Sequence, residues 1–192
     1  VTDITIETQE AAEKLGRPIG RYITLTATDS TFDMYSDSFR ERAEVIAKAI
    51  GELCGGCERF LAVGLGNYAL TSDAVGPLTA EKIFATRHIK SLAKEIDTDD
   101  LGEVTVIQTG VLGNTGIESS EQVKAIAERV TPQAVIAVDA LACSELSNLG
   151  RTIQLCNTGI SPGSGVENAR KELSLSTLGV KCIAIGVPTV ID

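Results

Sequence analysis

The chain has 192 residues, 43% of them hydrophobic and 22% charged, and carries a formal net charge of −9. That length suits one domain, and the composition is that of a folded globular protein rather than a disordered or fibrous one. The acidic balance disfavours direct nucleic-acid binding, which needs surplus Lys and Arg against phosphate, and no stretch is long and apolar enough to span a bilayer.

Residues 1–7 (VTDITIE) alternate as a half-buried strand does, and 10–15 fit a short helix stopped by Gly16 and Pro18. Residues 21–27 (RYITLTA) alternate again, with β-branched and aromatic side chains that favour a strand. Ser36 or Asp37 can cap a helix running to Leu53, in which Ile46, Ala49, Ile50 and Leu53 recur at helical spacing. Gly55 and Gly56 end it. Residues 60–65 form a short continuous apolar run, the mark of a buried parallel strand. A polar loop carrying Asp73 follows. After a Gly76-Pro77 turn, 78–89 reads as a helix with Leu78, Ile83 and Phe84 mostly inward. Residues 96–102 (IDTDDLG) make an acidic loop whose spacing does not match an EF-hand, so a solvated turn is expected.

A further strand is expected over 104–109, followed by a glycine-rich connection (GVLGNTG). Ser119 or Ser120 can cap a helix to Val130, with Val123, Ile126 and Ala127 on one face and Pro132 as the stop. Residues 134–138 (AVIAV) are another buried strand, which delivers Asp139 at its end. A strand over 152–155, a GISPGSG loop, a helix near 166–178 and a last strand over 182–186 complete the chain. Strands and helices alternate from Phe60 onward, which predicts an α/β sandwich with a largely parallel sheet. In such sheets ligands bind at the carboxyl ends of the strands. Asp73 follows one such end and Asp139 occupies another.

The cysteines number five. Cys54-Gly-Gly-Cys57 is a single C-x-x-C, which ends a helical pattern instead of opening one. A structural zinc site needs four ligands, and a redox pair sits at a helix N-terminus, so a structural role is expected. Cys143, Cys156 and Cys182 lie in or beside apolar runs and read as small buried hydrophobes in a reducing compartment. Gly64-Leu65-Gly66 resembles the start of a dinucleotide loop. The third glycine of the fingerprint falls on Ala69, and no helix follows directly to receive a pyrophosphate. His88 is the one histidine and no G-x-S-x-G elbow exists, which disfavours a serine triad and a multi-histidine zinc site. A mixed site of Asp73, Asp139 and His88 stays open. The loop 161–165 can present free backbone N–H groups to a carbonyl oxygen or an anion, or serve only as a tight turn.

The acids carry the chemical argument. Asp139 directly follows an apolar strand, where a charge is costly unless paired or functional. Two carboxylates held close share a proton, because both cannot ionise cheaply. One is then a base for water and the other an acid for the carbonyl or leaving amine. That chemistry hydrolyses a peptide bond without a nucleophilic side chain or a metal.

Several blocks together resemble the germination protease (spore protease) family of endospore-forming bacteria. They are GRYITLTA, VGLGNYALTSDAVGP, ATRHI, GVLGNTGIESSE, VIAVDALA, TGISPGSGVENARKELS and IAIGVPTVID, in family order and over most of the chain. The resemblance implies an atypical aspartic-type endopeptidase that degrades small acid-soluble spore proteins during germination. It implies a zymogen that removes its own N-terminal segment, a homotetramer, and a location in the cytoplasm of the forespore or spore core. No cofactor, direct nucleic-acid or membrane partner is expected; the alternatives are a metal-dependent maturation-type peptidase of the same fold, using Asp73, Asp139 and His88, and a non-catalytic relative that binds spore proteins. The implied fold is similar to that of hydrogenase maturation proteases: an α/β three-layer sandwich with a largely parallel central sheet (phosphorylase/hydrolase-like) and a small N-terminal β appendage. The family's two essential aspartates match Asp73 and Asp139 by motif. Tyr68, Ser72, Asn114 and Ser161 depart from the family pattern, and this bears on pocket shape and specificity. Val1 opens the chain without an initiator Met, before which the family's self-cleavage site is expected. The family continues beyond Asp192, so 1–192 is expected to be a single peptidase domain taken from a longer chain.

Overall fold

The computed structural model describes residues 1–27, 37–92, 98, 101–162 and 172–192, with the side chains of 91 and 92 outside that description. The predicted helix near 166–178, the acidic loop 96–102 and the loop 161–165 fall largely outside it, as does Ser36. Of the helix, a short α7 (Leu175–Leu178) is described.

Two strands and a helix open the chain: β1 (Thr2–Ile6), α1 (Gln9–Leu15) and β2 (Gly20–Thr26). Thr8 caps α1 by accepting from Ala11 N, and Gly16 ends it in the left-handed region. Next come α2 (Phe39–Cys54), β3 (Arg59–Leu65), α3 (Val75–Lys82), α4 (Arg87–Leu92) and β4 (Glu103–Gly110). A single-turn α5 (Leu112–Thr115) precedes α6 (Ser119–Val130), and β5 (Ala134–Cys143), β6 (Thr152–Cys156) and β7 (Lys181–Ile191) complete the sheet.

The strands form one seven-stranded sheet in the order β1-β2-β6-β7-β5-β3-β4. Its β4-β3-β5-β7 half is parallel. The β7-β6-β2-β1 half is antiparallel. The N-terminal strands expected as an appendage therefore extend the main sheet through the β2–β6 pairing.

Helices cover both faces, which makes the three layers. On one face Ala49, Leu53 and Cys54 of α2 pack on Ile23, Leu25, Val138, Ile153, Leu155, Ile183 and Ile185. On the other, Val123 and Ala127 of α6 pack on Leu61, Val63, Leu65, Val135, Ala137 and Cys182. Burying an aliphatic side chain of this size contributes roughly 1.5–3 kcal/mol, and several of these are fully buried. The face predicted for Val123, Ile126 and Ala127 is the one that packs.

Four details differ from the sequence reading. The helix expected over 78–89 is two helices. α3 starts early, with Gly76 and Pro77 inside its first turn, where proline has no helix bond to lose. Ile83 then turns extended, and Thr86 binds the start of β4 through its own hydroxyl, so the helix breaks. Leu78 and Phe84, expected inward, are 45% and 70% exposed. The residue at the N-cap of α6 is Glu118, not a serine, and Ser119 Oγ bonds back to Gly110 O at 3.3 Å. Finally, β5 does not end at Asp139 and β7 does not end at Gly186. Both run on together, to Cys143 and Ile191. Pro188 is tolerated there because β6 no longer flanks β7.

Candidate active site

β3 carries the chain to the carboxyl edge of the parallel strands and stops at Leu65. Gly66, at φ +110°, reverses it. The loop that follows is folded on itself by its own polar groups. Asn67 N donates to Asp73 Oδ2 at 2.8 Å, Ala69 N to Asn67 Oδ1 at 3.0 Å, and Asp73 N to Leu70 O at 2.8 Å. Asp73 is half-buried and ends a 3-10 turn, Thr71–Asp73. That turn lies against both β5 and β7, and Thr189 Oγ1 of β7 donates to Ser72 O. Gly76, at the start of α3, is wedged between Leu65 and Val138, the last residues of β3 and β5 before the strands part.

Asp139 is the residue after Val138. It shares the α6 face of β5 with Val135 and Ala137 and is 6% exposed. Its Oδ1 accepts from Ala140 N at 2.9 Å. Both acids thus stand at the carboxyl edge of the sheet, with the Asp73 turn packed against the strand that holds Asp139.

Around Asp139 are residues that the sequence reading missed. Asp139 pairs with Gly186, Gly186 with Gln154, and Gln154 with Thr24, one row across four strands. The glycine leaves room in that row, and Leu141 folds over it: a Cβ at Gly186 would fall 2.7 Å from Leu141 Cγ. A cavity of about 140 Å³ opens on this face, lined by Tyr22, Leu141, Gln154, Cys156, Ile160 and Gly186 among others. The glycine in the last apolar run was the one signal available for it.

His88 is not brought to the acids. It is exposed on α4, which is tied to the start of β4 by Thr86 N to Val104 O at 3.0 Å and by an Arg87–Glu103 ion pair at 3.3 Å. The start of β4 is the opposite edge of the parallel strands from Asp139. No group of three or more His, Cys, Asp and Glu side chains suited to a metal occurs among the described residues. The C-x-x-C closes the end of α2, with Cys57 Sγ donating to Cys54 O at 3.0 Å and Lys181 Nζ to the same carbonyl at 2.8 Å. All five cysteines are thiols. The first helix after the Gly64-Leu65-Gly66 stretch begins at Val75, so no helix N-terminus meets a phosphate there.

The germination protease family model matches residues 1–192. The chain belongs to the germination protease family. A germination protease of Clostridium perfringens is 42% identical over 195 residues, covering 100% of this chain and 59% of its own length. That of Clostridium tetani is 43% identical over 196 residues, covering 100% and 60%. That of Oceanobacillus iheyensis is 43% identical over 193 residues, covering 97% and 52%. The chain therefore spans from about half to 60% of the length of these relatives. Among solved structures, a NiFe hydrogenase maturation protease, HycI from Thermococcus kodakarensis, aligns with a TM-score of 0.48 at 21% identity, over 73% of this chain and 80% of that one. No described helix is long and apolar enough to cross a membrane.

Proposed function

We propose that the protein is an endopeptidase that degrades small acid-soluble spore proteins during germination, with Asp73 and Asp139 activating water between them. The observation that carries this reading is the family match over the whole chain, together with two acids at one edge of the sheet.

One carboxylate takes a proton from water as the water oxygen bonds to the scissile carbonyl carbon. The other, protonated, hydrogen-bonds the carbonyl oxygen as it gains charge. The tetrahedral species then collapses, and a proton passes to the departing amine. The same reading takes the protein to be a self-processing zymogen that works as a homotetramer in the spore core.

The test is cleavage of a purified small acid-soluble spore protein by the processed full-length protein. Asp73→Asn and Asp139→Asn should each lower the rate by about 10²–10⁴-fold with an unchanged circular dichroism spectrum. Undiminished cleavage by either variant overturns the pair.

A further inference from the structure

β5 outlasts its neighbour. Its pairing with β3 ends at Gly64–Val138, and β3 itself ends at Leu65. Among the described residues, Asp139 to Cys143 is paired with a strand on one side only, with Gly186 to Ile191 of β7. Past Val138 no described strand takes the place of β3.

Successive residues of a strand turn their main-chain groups to opposite sides. Three contacts fix which way each residue of β5 faces. The carbonyl oxygen of Val138 meets Gly76, on the β3 side. The carbonyl of Cys143 accepts from Asp192 N at 3.0 Å, on the β7 side. Ala140 N turns away from β7 and donates to Asp139 Oδ1 instead of to a strand. The alternation therefore points the main-chain groups of Ala140 and Ala142 out of the open edge. Both side chains are small, and Ala142 is exposed, so another backbone can come close.

We propose that the substrate docks as an added strand on this edge, its main chain bonding to the Ala140 carbonyl and the Ala142 N–H. An open edge of this kind is a template for pairing, and strand addition is a recurring way to hold an extended peptide. The occupant is an extended segment of polypeptide, because the edge begins at Asp139 and so lays the bound backbone alongside the carboxylate. This rests on the peptidase reading and adds to it a binding mode. Affinity comes from main-chain bonds, and alternate side chains are left to set specificity.

Ala142→Pro removes the outward N–H without touching the β7 ladder, a position where proline is tolerated. Overlapping fluorescein-labelled peptides of a small acid-soluble spore protein are titrated into the full-length Asp73→Asn protein, with and without Ala142→Pro. A second series keeps the protein unchanged and methylates one peptide backbone nitrogen at a time. Ala142→Pro should weaken binding about tenfold, the order expected for a lost main-chain bond, and N-methylation should weaken it at every second residue. Unchanged binding by Ala142→Pro with a flat N-methyl series overturns the proposal, as does the absence of any peptide binding. The N-methyl series also covers the case in which Ala142→Pro fails to fold. Since binding is read apart from cleavage, an active Asp139→Asn variant would defeat the aspartate pair while a period-two pattern still upheld the docking mode.

Discussion

The main chain and carboxyl group of Asp73 lie directly against the α-carbon of Gly66. A Cβ on Gly66 would overlap the Asp73 carbonyl oxygen and fall 2.9 Å from its Oδ1 and 3.1 Å from its Cγ. The glycine also sits at φ +110°, which an L side chain rarely adopts. Two independent constraints thus require glycine where β3 hands over to the loop. Both act on the placement of one acid.

Gly66→Ala should accordingly lower kcat/KM at least tenfold and destabilise the fold by about 1–3 kcal/mol. Gly113→Ala is the control. It meets nothing within 4 Å, lies in α5, and should be neutral or stabilising by up to about 1 kcal/mol. Urea denaturation and peptide hydrolysis measure the two effects separately. Full activity in Gly66→Ala would show that Asp73 need not be held where it is.

Gly76 is constrained by two strands at once, because its three nearest neighbours are all backbone atoms of β3 and β5. A Cβ there would overlap the carbonyl oxygens of Leu65 and Val138 and fall 2.6 Å from Leu65 N. These atoms belong to two interior strands that cannot yield as a side chain would. Gly76→Ala should therefore cost about 3 kcal/mol or more, read as a lower urea midpoint. A loss no greater than that of Gly66→Ala would show that α3 shifts freely on the sheet.

These two glycines show why some of the fold was legible and some was not. Strands β3 and the first half of β5 announce themselves as continuous apolar runs, and α6 by its spacing of Val123, Ile126 and Ala127. Asp73 and Asp139 stand out because each follows such a run. Gly76-Pro77, however, has the chemistry of a turn. Its use as a helix start depends on a close approach to strands that a linear reading does not show. The second half of β5 reads as small residues after a charge, and its partner holds Pro188, so neither looks like a strand alone. The clasp between Asn67 and Asp73 and the row from Asp139 to Thr24 are products of the fold.

Cys182 gives stability a pH dependence. It is fully buried in the α6-side core, and burial pushes its thiol up to about 12, reinforced by Cys156 and Glu172 nearby. The folded state thus holds this proton more tightly than the unfolded chain, whose thiol titrates near about 8.5. The resulting stability is fully present below the unfolded value and is lost as pH rises through the folded one. Unfolding free energy should fall between about pH 8.5 and 12, and Cys182→Ala should flatten that slope at some cost in packing. An unchanged slope would assign the alkaline loss to other groups.

His88 and Thr86 separate the stability of the far edge from the chemistry at the near one. Thr86 is 3% exposed, and its hydroxyl accepts from Val104 N at 2.8 Å while donating to Gly102 O. Thr86→Val leaves both groups without a partner in the interior and should cost about 1–3 kcal/mol, with Thr86→Ser recovering most of it. The folded fraction should keep its kcat/KM, since this corner lies at the opposite edge from Asp73 and Asp139. His88→Ala, on the same corner, should leave cleavage within about twofold and denaturation within about 0.5 kcal/mol, as for surface substitutions generally. Steady-state kinetics at a temperature well below the midpoint measure this. A large loss of kcat in His88→Ala would bring histidine into the chemistry and require a site different from the aspartate pair.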